Sequence, residues 1–314
     1  MPEVRSPTVR RRELGALLRA LRNQKGLTVE QVAEHLLCSL SKVSRMETGH
    51  SVATLRDIRD LCALYEVTDQ AERDRLMTLA RESKQQAWWH SYDLGYATYV
   101  GLEAEAVAIS DFQSSVVPGL LQTADYSRAI GERALPRVSQ EQIEMQIEAR
   151  LTRQRILTQD DPPLFAAVLD EAVLHRLVGG PRVMEAQLER LIEATRLPNV
   201  TLQVIPFSVG AHPGLESNFN ILELAPPTPG VVFVEGLVGS VYLERPDDLE
   251  RYRGVFKRVQ TIALSPKDTI SAIAAIRTRF GELKSVPGNS TPSVRTGEFG
   301  DHSLAIESQG LCQE

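Results

Sequence analysis

Between Leu14 and Tyr65 the apolar positions fall at helical spacing in four runs. Leu14, Leu17, Leu18 and Leu21 stand at i, i+3, i+4 and i+7 and make one stripe. Gly26 predicts its left-handed stop, and Thr28 predicts the cap of a second helix that turns Val32, Ala33 and Leu36 inward and Glu30 and Glu34 to solvent. Ser39 predicts the cap of a third helix, and Leu55, Ile58, Leu61, Cys62 and Tyr65 close the bundle. The third helix has only Val43 and Met46 to bury, so Leu40, Ser41, Lys42, Ser44 and Arg45 are free to touch something else. A helix so sparsely apolar, held up by others and bearing hydroxyls and cations, suits the major groove of DNA. A merely solvated face on a four-helix core is the alternative.

Downstream, residues 69–86 read as a polar helix with Leu76, Met77 and Leu79 inward, and the aromatics from Trp88 to Tyr99 read as a junction in which the two tryptophans pack together. From Tyr99 the pattern mixes periods. A helix is expected to open at Gly101-Leu102-Glu103-Ala104-Glu105-Ala106, and another runs over 140–157 with Ile143, Ile147, Leu151 and Gln154 on one face. Strands are predicted at 164–169, 201–205, 219–224 and 231–234, with 241–243 as an edge. Helices are predicted at 171–177, 183–196, 247–263 and 266–280, the last opened by Ser265 and Asp268. The fold class expected is α+β overall, an all-α bundle followed by a mixed α/β regulatory domain. The divisions are a basic arm (1–11), a helix-turn-helix domain (12–87), a junction (88–98), a regulatory and dimerisation domain (99–284) and a disordered tail (285–314).

Charge sharpens this picture. The net charge of −6 argues against a general nucleic-acid binder, but residues 1–60 carry +4 and the remainder −10. Positive charge sits with the groove-binding pattern, as phosphate contacts require, and the acidic remainder should face away from DNA. Arg5 and Arg10-Arg11-Arg12 read as a basic arm reaching a groove or phosphates, or as a frayed end. Cys38, Cys62 and Cys312 lack ligand spacing and fit reduced thiols in the cytoplasm. No apolar run approaches the ~20 residues of a membrane span, and the first residues lack a signal peptide's apolar stretch, so a cytoplasmic, nucleoid-associated protein is expected.

The segment Gly26-Leu27-Thr28-Val29-Glu30-Gln31-Val32-Ala33 followed by Ser39-Leu40-Ser41-Lys42-Val43-Ser44-Arg45-Met46-Glu47-Thr48-Gly49 resembles the λ-repressor/Cro-like, xenobiotic-response-element type of helix-turn-helix regulator over residues 12–68. The resemblance implies a tie between Arg22 and Glu47. It departs at Leu37, where the turn often has Gly, and at Val29 and Leu40, where Gln often opens the helices; the usual amide contacts to adenine are therefore missing. Thr28 and Gln31 are expected to hold the DNA backbone, Lys42 and Arg45 to meet phosphate or guanine, Ser39, Ser41 and Ser44 to meet base edges or phosphate, and Leu40 to meet a thymine methyl. A homodimer on half-sites about 34–36 Å apart, or a multiple, is expected on double-stranded DNA.

Five motifs in order, Tyr99-Val100-Gly101-Leu102-Glu103-Ala104-Glu105-Ala106, Pro118-Gly119-Leu120-Leu121-Gln122-Thr123, Arg153-Gln154-x-x-Leu157, Leu169-Asp170-Glu171-Ala172 and Gly210-Ala211-His212-Pro213-Gly214, resemble the antitoxin-like C-terminal domain of unknown function of actinobacterial helix-turn-helix regulators, over 99–280. That resemblance implies transcriptional control and a small acidic partner protein encoded nearby. It leaves open an antitoxin-like module that sequesters the partner and autoregulates its operon, or a small-molecule-sensing repressor. Enzymatic chemistry is not expected: Glu171 and His175 are a lone i, i+4 pair, with no nucleophile elbow, phosphate loop or dinucleotide fingerprint. No cofactor or metal is called for. Glu103, Glu105, Glu171, His212 and Glu216 are candidates for an effector pocket, with a simple turn at His212 as the alternative. Pro118-Gly119-Leu120-Leu121 reads as core or as a partner seam.

Overall fold

The computed structural model describes residues 6–92, 95–134, 139–236 and 239–284. The N-terminal region is a helical bundle of α1 (Pro7–Gln24), α2 (Val29–His35), α3 (Leu40–Glu47), α4 (Leu55–Leu64) and α5 (Gln70–Glu82). Leu14, Leu18, Val32, Ala33, Val43, Met46, Ile58, Leu61, Tyr65, Leu76 and Leu79 fill its core, as their spacing predicts. Thr28 with Gln31, and Thr54 with Asp57, form reciprocal capping boxes, and Ser39 caps α3 through the N–H of Lys42. The helices stop by one device: Gly26, Leu37, Gly49 and Glu66 turn left-handed, and paired N–H bonds reach back to the last carbonyls of α1 to α4. Leu37 adopts φ 51° with its side chain in water, a conformation that costs a β-carbon residue about 1 kcal/mol. Gly15 lets α1 rest on the end of α3, because a β-carbon there would stand 2.5 Å from the Met46 carbonyl oxygen.

The basic arm expected over residues 1–11 is corrected from Pro7 onward. Those residues are the first turns of α1, which Ser6 caps, and Arg10 and Arg12 are buried. Arg10 pairs with Glu13, Glu82 and Glu105, and Arg12 lies 2.9 Å from Glu244. Most of these acids lie far away in sequence, so the pattern of arginines alone could not show that they are neutralised. Val9 joins the hydrophobic core of the second region, and Thr8 sits where a β-carbon on Gly101 would come within 2.7 Å of it. Helix α1 is therefore shared: its start belongs to one core and its middle to the other.

A 3-10 turn at Trp88–Tyr92 makes the junction, with the two indoles edge to face at 5.6 Å. Beyond it come α6 (Ala97–Glu103), β1 (Ala106–Gln113), α7 (Ala124–Ala134), α8 (Gln140–Gln154), β2 (Leu164–Asp170), α9 (Ala172–His175), α10 (Pro181–Ala194) and β3 (Val200–Ile205). Then follow β4 (Phe219–Leu224), β5 (Val231–Gly236), β6 (Gly239–Leu243), α11 (Pro246–Ile262) and α12 (Pro266–Lys284). The strands form one mixed sheet of order β3-β2-β1-β4-β5-β6, parallel among β1, β2 and β3 and antiparallel from β4 on. Ile109, Phe165, Leu169, Leu202, Leu222 and Phe233 point to a face covered by α6, α7, α8, α9, α10 and α12. Phe112, Val168, Ile205, Phe219, Ile221 and Val232 point to the other, covered by α11. An all-α bundle followed by a mixed sheet with helices is the α+β class the sequence predicts.

Two local expectations fail. The helix expected to open at Gly101 ends at Glu103, and residues 106–113 form β1, the strand at the centre of the sheet. Its two faces lie under different helix layers, Ile109 on one side and Phe112 on the other, so Ala106 to Gln113 show no period of two. In α8 the inward side carries Ile143, Ile147, Ala149 and Arg153, while Leu151 is exposed. Arg153 turns inward because a buried acid awaits it there. Pro118-Gly119-Leu120-Leu121 resolves as core, with Leu120 and Leu121 buried. The expected tail over 285–314 lies outside the described residues.

Candidate nucleic-acid interface

Helix α3 is fixed at both ends. At its C-terminus Glu47 is buried and takes a two-pronged bond from Arg22 on α1, Nε to Oε1 at 2.6 Å and Nη2 to Oε2 at 3.0 Å. Glu47 raises the pKa of Arg22 above its ordinary value by accepting those bonds, against a smaller opposing effect of burial. Near its N-terminus Lys42 donates to Asp57 of α4 at 2.9 Å. Burial pushes the Asp57 carboxyl up, but Lys42 and the Thr54 N–H and hydroxyl more than offset it, leaving its pKa below the ordinary value.

On the face those anchors leave open, Leu40, Ser41, Ser44 and Arg45 stand exposed, with Val43 and Met46 beneath. Four of the eight residues singled out from the sequence are occupied locally. Thr28 and Gln31 cap α2 against each other, Ser39 caps α3, and the Lys42 ammonium is held by Asp57. Sequence inspection passed over His50, exposed just beyond α3, and Arg56, exposed in the first turn of α4. The capping box Thr54-x-x-Asp57 was the available signal, because it starts α4 at Leu55, puts Arg56 in its first turn, and sets Asp57 against Lys42 of α3.

The five effector-pocket candidates are not brought together. Glu103 is buried and clasped by Arg153, Oε2 at 2.7 Å from Nε and Oε1 at 2.9 Å from Nη2. Arg153 also lies 5.3 Å from the centres of both the Tyr96 and Tyr99 rings. Burial alone would lower its pKa, and the Glu103 charge and hydrogen bonds reverse that and hold it raised. Glu105 accepts from the N–H of Ser6 and pairs with Arg10. Both acids precede β1, whereas Glu171 follows β2, so a parallel strand's length of roughly 20 Å separates the two groups.

At the far end Glu171 accepts from the Phe207 N–H at 2.7 Å and meets His175 at 3.1 Å. His212 is buried with both ring nitrogens used: Nδ1 accepts from the Gly214 N–H at 3.2 Å, which leaves Nε2 to donate to Asp170 at 3.2 Å. Glu216 is exposed in the following loop. Two surface hollows, one lined by Pro7, Arg11, Val52 and Lys84 and one by Arg182, Glu185, Glu189 and Arg277, contain none of the five. The shared motifs are thus fasteners: Arg153 to Glu103, Gln154 to the carbonyls of Gly119 and Gln122, and His212 to Asp170.

One buried acid stands apart. Asp111 in β1 accepts from the Gln113 side chain at 2.8 Å, and burial pushes its pKa from the ordinary 3.8 to about 7 despite the bonds from Gln113 and Asn220. A folded-state pKa above the unfolded one means that the protonated acid favours folding. Its contribution is complete below about pH 4 and is lost as pH rises through about 7. Wild-type stability should fall by about 1.4 kcal/mol per pH unit across that window from this group, and Asp111→Asn should flatten the slope. Denaturant midpoints at intervals from pH 4 to pH 8 measure it; equal slopes in both proteins would refute the assignment.

Residues 13–76 match a family described as a helix-turn-helix domain, and residues 96–275 match one described as a domain of unknown function (DUF5753). Neither a curated protein nor a solved structure matches the chain. The first match covers most of the bundle, with the exposed face of α3 inside it, which supports DNA as a partner. The second spans more than half of the chain and the whole sheet. The chain therefore belongs to the DUF5753 family, and joins that domain to a DNA-binding helix-turn-helix domain.

Proposed function

We propose that this protein is a sequence-specific transcriptional regulator that binds DNA as a dimer and takes its control input through the second domain. The observation that carries the reading is the face of α3, where Leu40, Ser41, Ser44 and Arg45 are exposed on a helix anchored by Arg22–Glu47 and Lys42–Asp57. An immobile helix with free hydroxyls, a cation and one apolar tip can hold a register on base edges. One such unit covers too few bases to select a site in a genome, hence the dimer. Helix α1 supports the control role, since it packs on Gly101 and Glu105 at one end and on Glu47 at the other. The second domain is read as non-enzymatic: the acids and histidine that resembled a reactive set hold backbone and one another. The place of work is the cytoplasm, on the nucleoid.

The test is selection of bound fragments from the organism's own genome at moderate salt, followed by footprinting. Enrichment of particular fragments supports the reading; equal recovery of all fragments and random duplex refutes it. In the same assay Arg45→Ala should weaken binding to every sequence alike and lower the salt slope by about one unit. An unchanged slope would remove Arg45 from the phosphate contacts.

A further inference from the structure

We propose that two copies of this chain pair edge to edge through β6, making one continuous twelve-stranded sheet across a two-fold axis at Val241. The inference rests on the dimer of the proposed function and names its surface.

The two edges of the sheet differ. At the β3 edge Val204 is engaged: its carbonyl accepts from the Leu264 N–H at 2.8 Å, and its own N–H donates to the Thr269 hydroxyl at 3.1 Å. The β6 edge is bare, since among the described residues no hydrogen bond reaches its outer side. Such edges are normally blunted by charge, proline or a bulge. Here the strand reads Gly239-Ser240-Val241-Tyr242-Leu243, without charge or proline and in unbroken register with β5.

The register shows which groups point outward. Gly236 pairs with Gly239, Val234 with Val241 and Val232 with Leu243. In a hairpin with a two-residue connection the pair next to the connection exchanges hydrogen bonds, and such pairs alternate along the ladder. Val241 and Leu243 therefore bond to β5, and the N–H and C=O of Ser240 and Tyr242 point away from it. A second β6 laid antiparallel with Val241 on the axis sets Ser240 against Tyr242 of its copy, and the reverse, forming four backbone hydrogen bonds. Self-complementarity of this kind is what a two-fold interface demands. Val241, 53% exposed, would then face its own copy in the close, non-hydrogen-bonded pair that brings side chains nearest.

The same edge connects to the reading helix. Glu244, directly after β6, holds Arg12 of α1 at 2.9 Å, and α1 carries the Arg22 that anchors α3. Pairing at β6 would thus set the distance between two copies of α3.

Val241→Cys in a full-length Cys38→Ser, Cys312→Ser background tests the geometry, because the close pair places β-carbons within disulfide reach. The expected result is a covalent dimer on mild oxidation, undiminished by dilution to low micromolar concentrations. Ser240→Pro removes an outward N–H while sparing the β5 ladder, and Val241→Glu sets like charges face to face. Both should weaken dimerisation at least tenfold by sedimentation, with the melting temperature of the protomer held. A chain that is monomeric at micromolar concentration, or a dimer indifferent to both variants and without the cross-link, overturns the proposal. Persisting fragment selection by such a dimer would leave the regulator reading standing. A cross-link without fragment selection would sink the regulator reading and leave the edge.

Discussion

Replacing Arg153 with methionine is expected to destabilise the protein by about 3–5 kcal/mol, enough to melt the second domain at moderate temperature. The substitution leaves the Glu103 carboxylate, 2% exposed, with no cation bonded to it in the core. It also removes the guanidinium between Tyr96 and Tyr99, while the methionine stem preserves most of the volume. Glu103→Gln in the same protein should recover a large part of the loss, because a neutral amide has no charge to desolvate. Denaturant unfolding of the single and double variants measures this; a single variant within 1 kcal/mol of wild type would show that the pair carries little of the fold.

The second large effect is expected at Arg22→Met. Glu47 would keep only Arg19, 3.6 Å away on an exposed side chain, and would remain buried against α1. The loss should again be about 3 kcal/mol, and the end of α3 should loosen. DNA affinity should fall with stability, although Arg22 itself meets no base in this reading. Arg22→Met with Glu47→Leu separates the two roles: stability should return in large part, since buried pairs can be exchanged for apolar ones. DNA binding that returns with it assigns Arg22 a purely supporting role. Binding that stays lost in a stable double variant would place the pair itself on the DNA.

Local order explains how much of the chain was legible. Caps and stops are encoded within four residues of where they act, so Thr28, Ser39, Gly26 and Ser265 announce helix ends before any packing is known. The bundle core follows, because amphipathic helices of this length have one apolar face to bury. Strands with one partly solvated face, such as Val200–Ile205 with Thr201 exposed, show their alternation. The central strand Ala106–Gln113 does not, because helices lie on both faces of the sheet, Ile109 packing under one layer and Phe112 under the other.

The candidate site divides along the same line. The sequence alone determined that α3 is capped, short of apolar residues and supplied with hydroxyls and Arg45, while the tie of Arg22 to Glu47 came from the resemblance to helix-turn-helix regulators. Only the tertiary structure decided the fate of the other charges. Arg10 and Arg12 became buried joints between domains, Lys42 was taken by Asp57, and of the acids that suggested a pocket Glu103, Glu105 and Glu171 were spread over both ends of a sheet and given partners there. The reason is physical: the shape of an apolar stripe is set by near neighbours along the chain, whereas a charged side chain takes its role from whichever opposite charge the fold brings within about 4 Å of it.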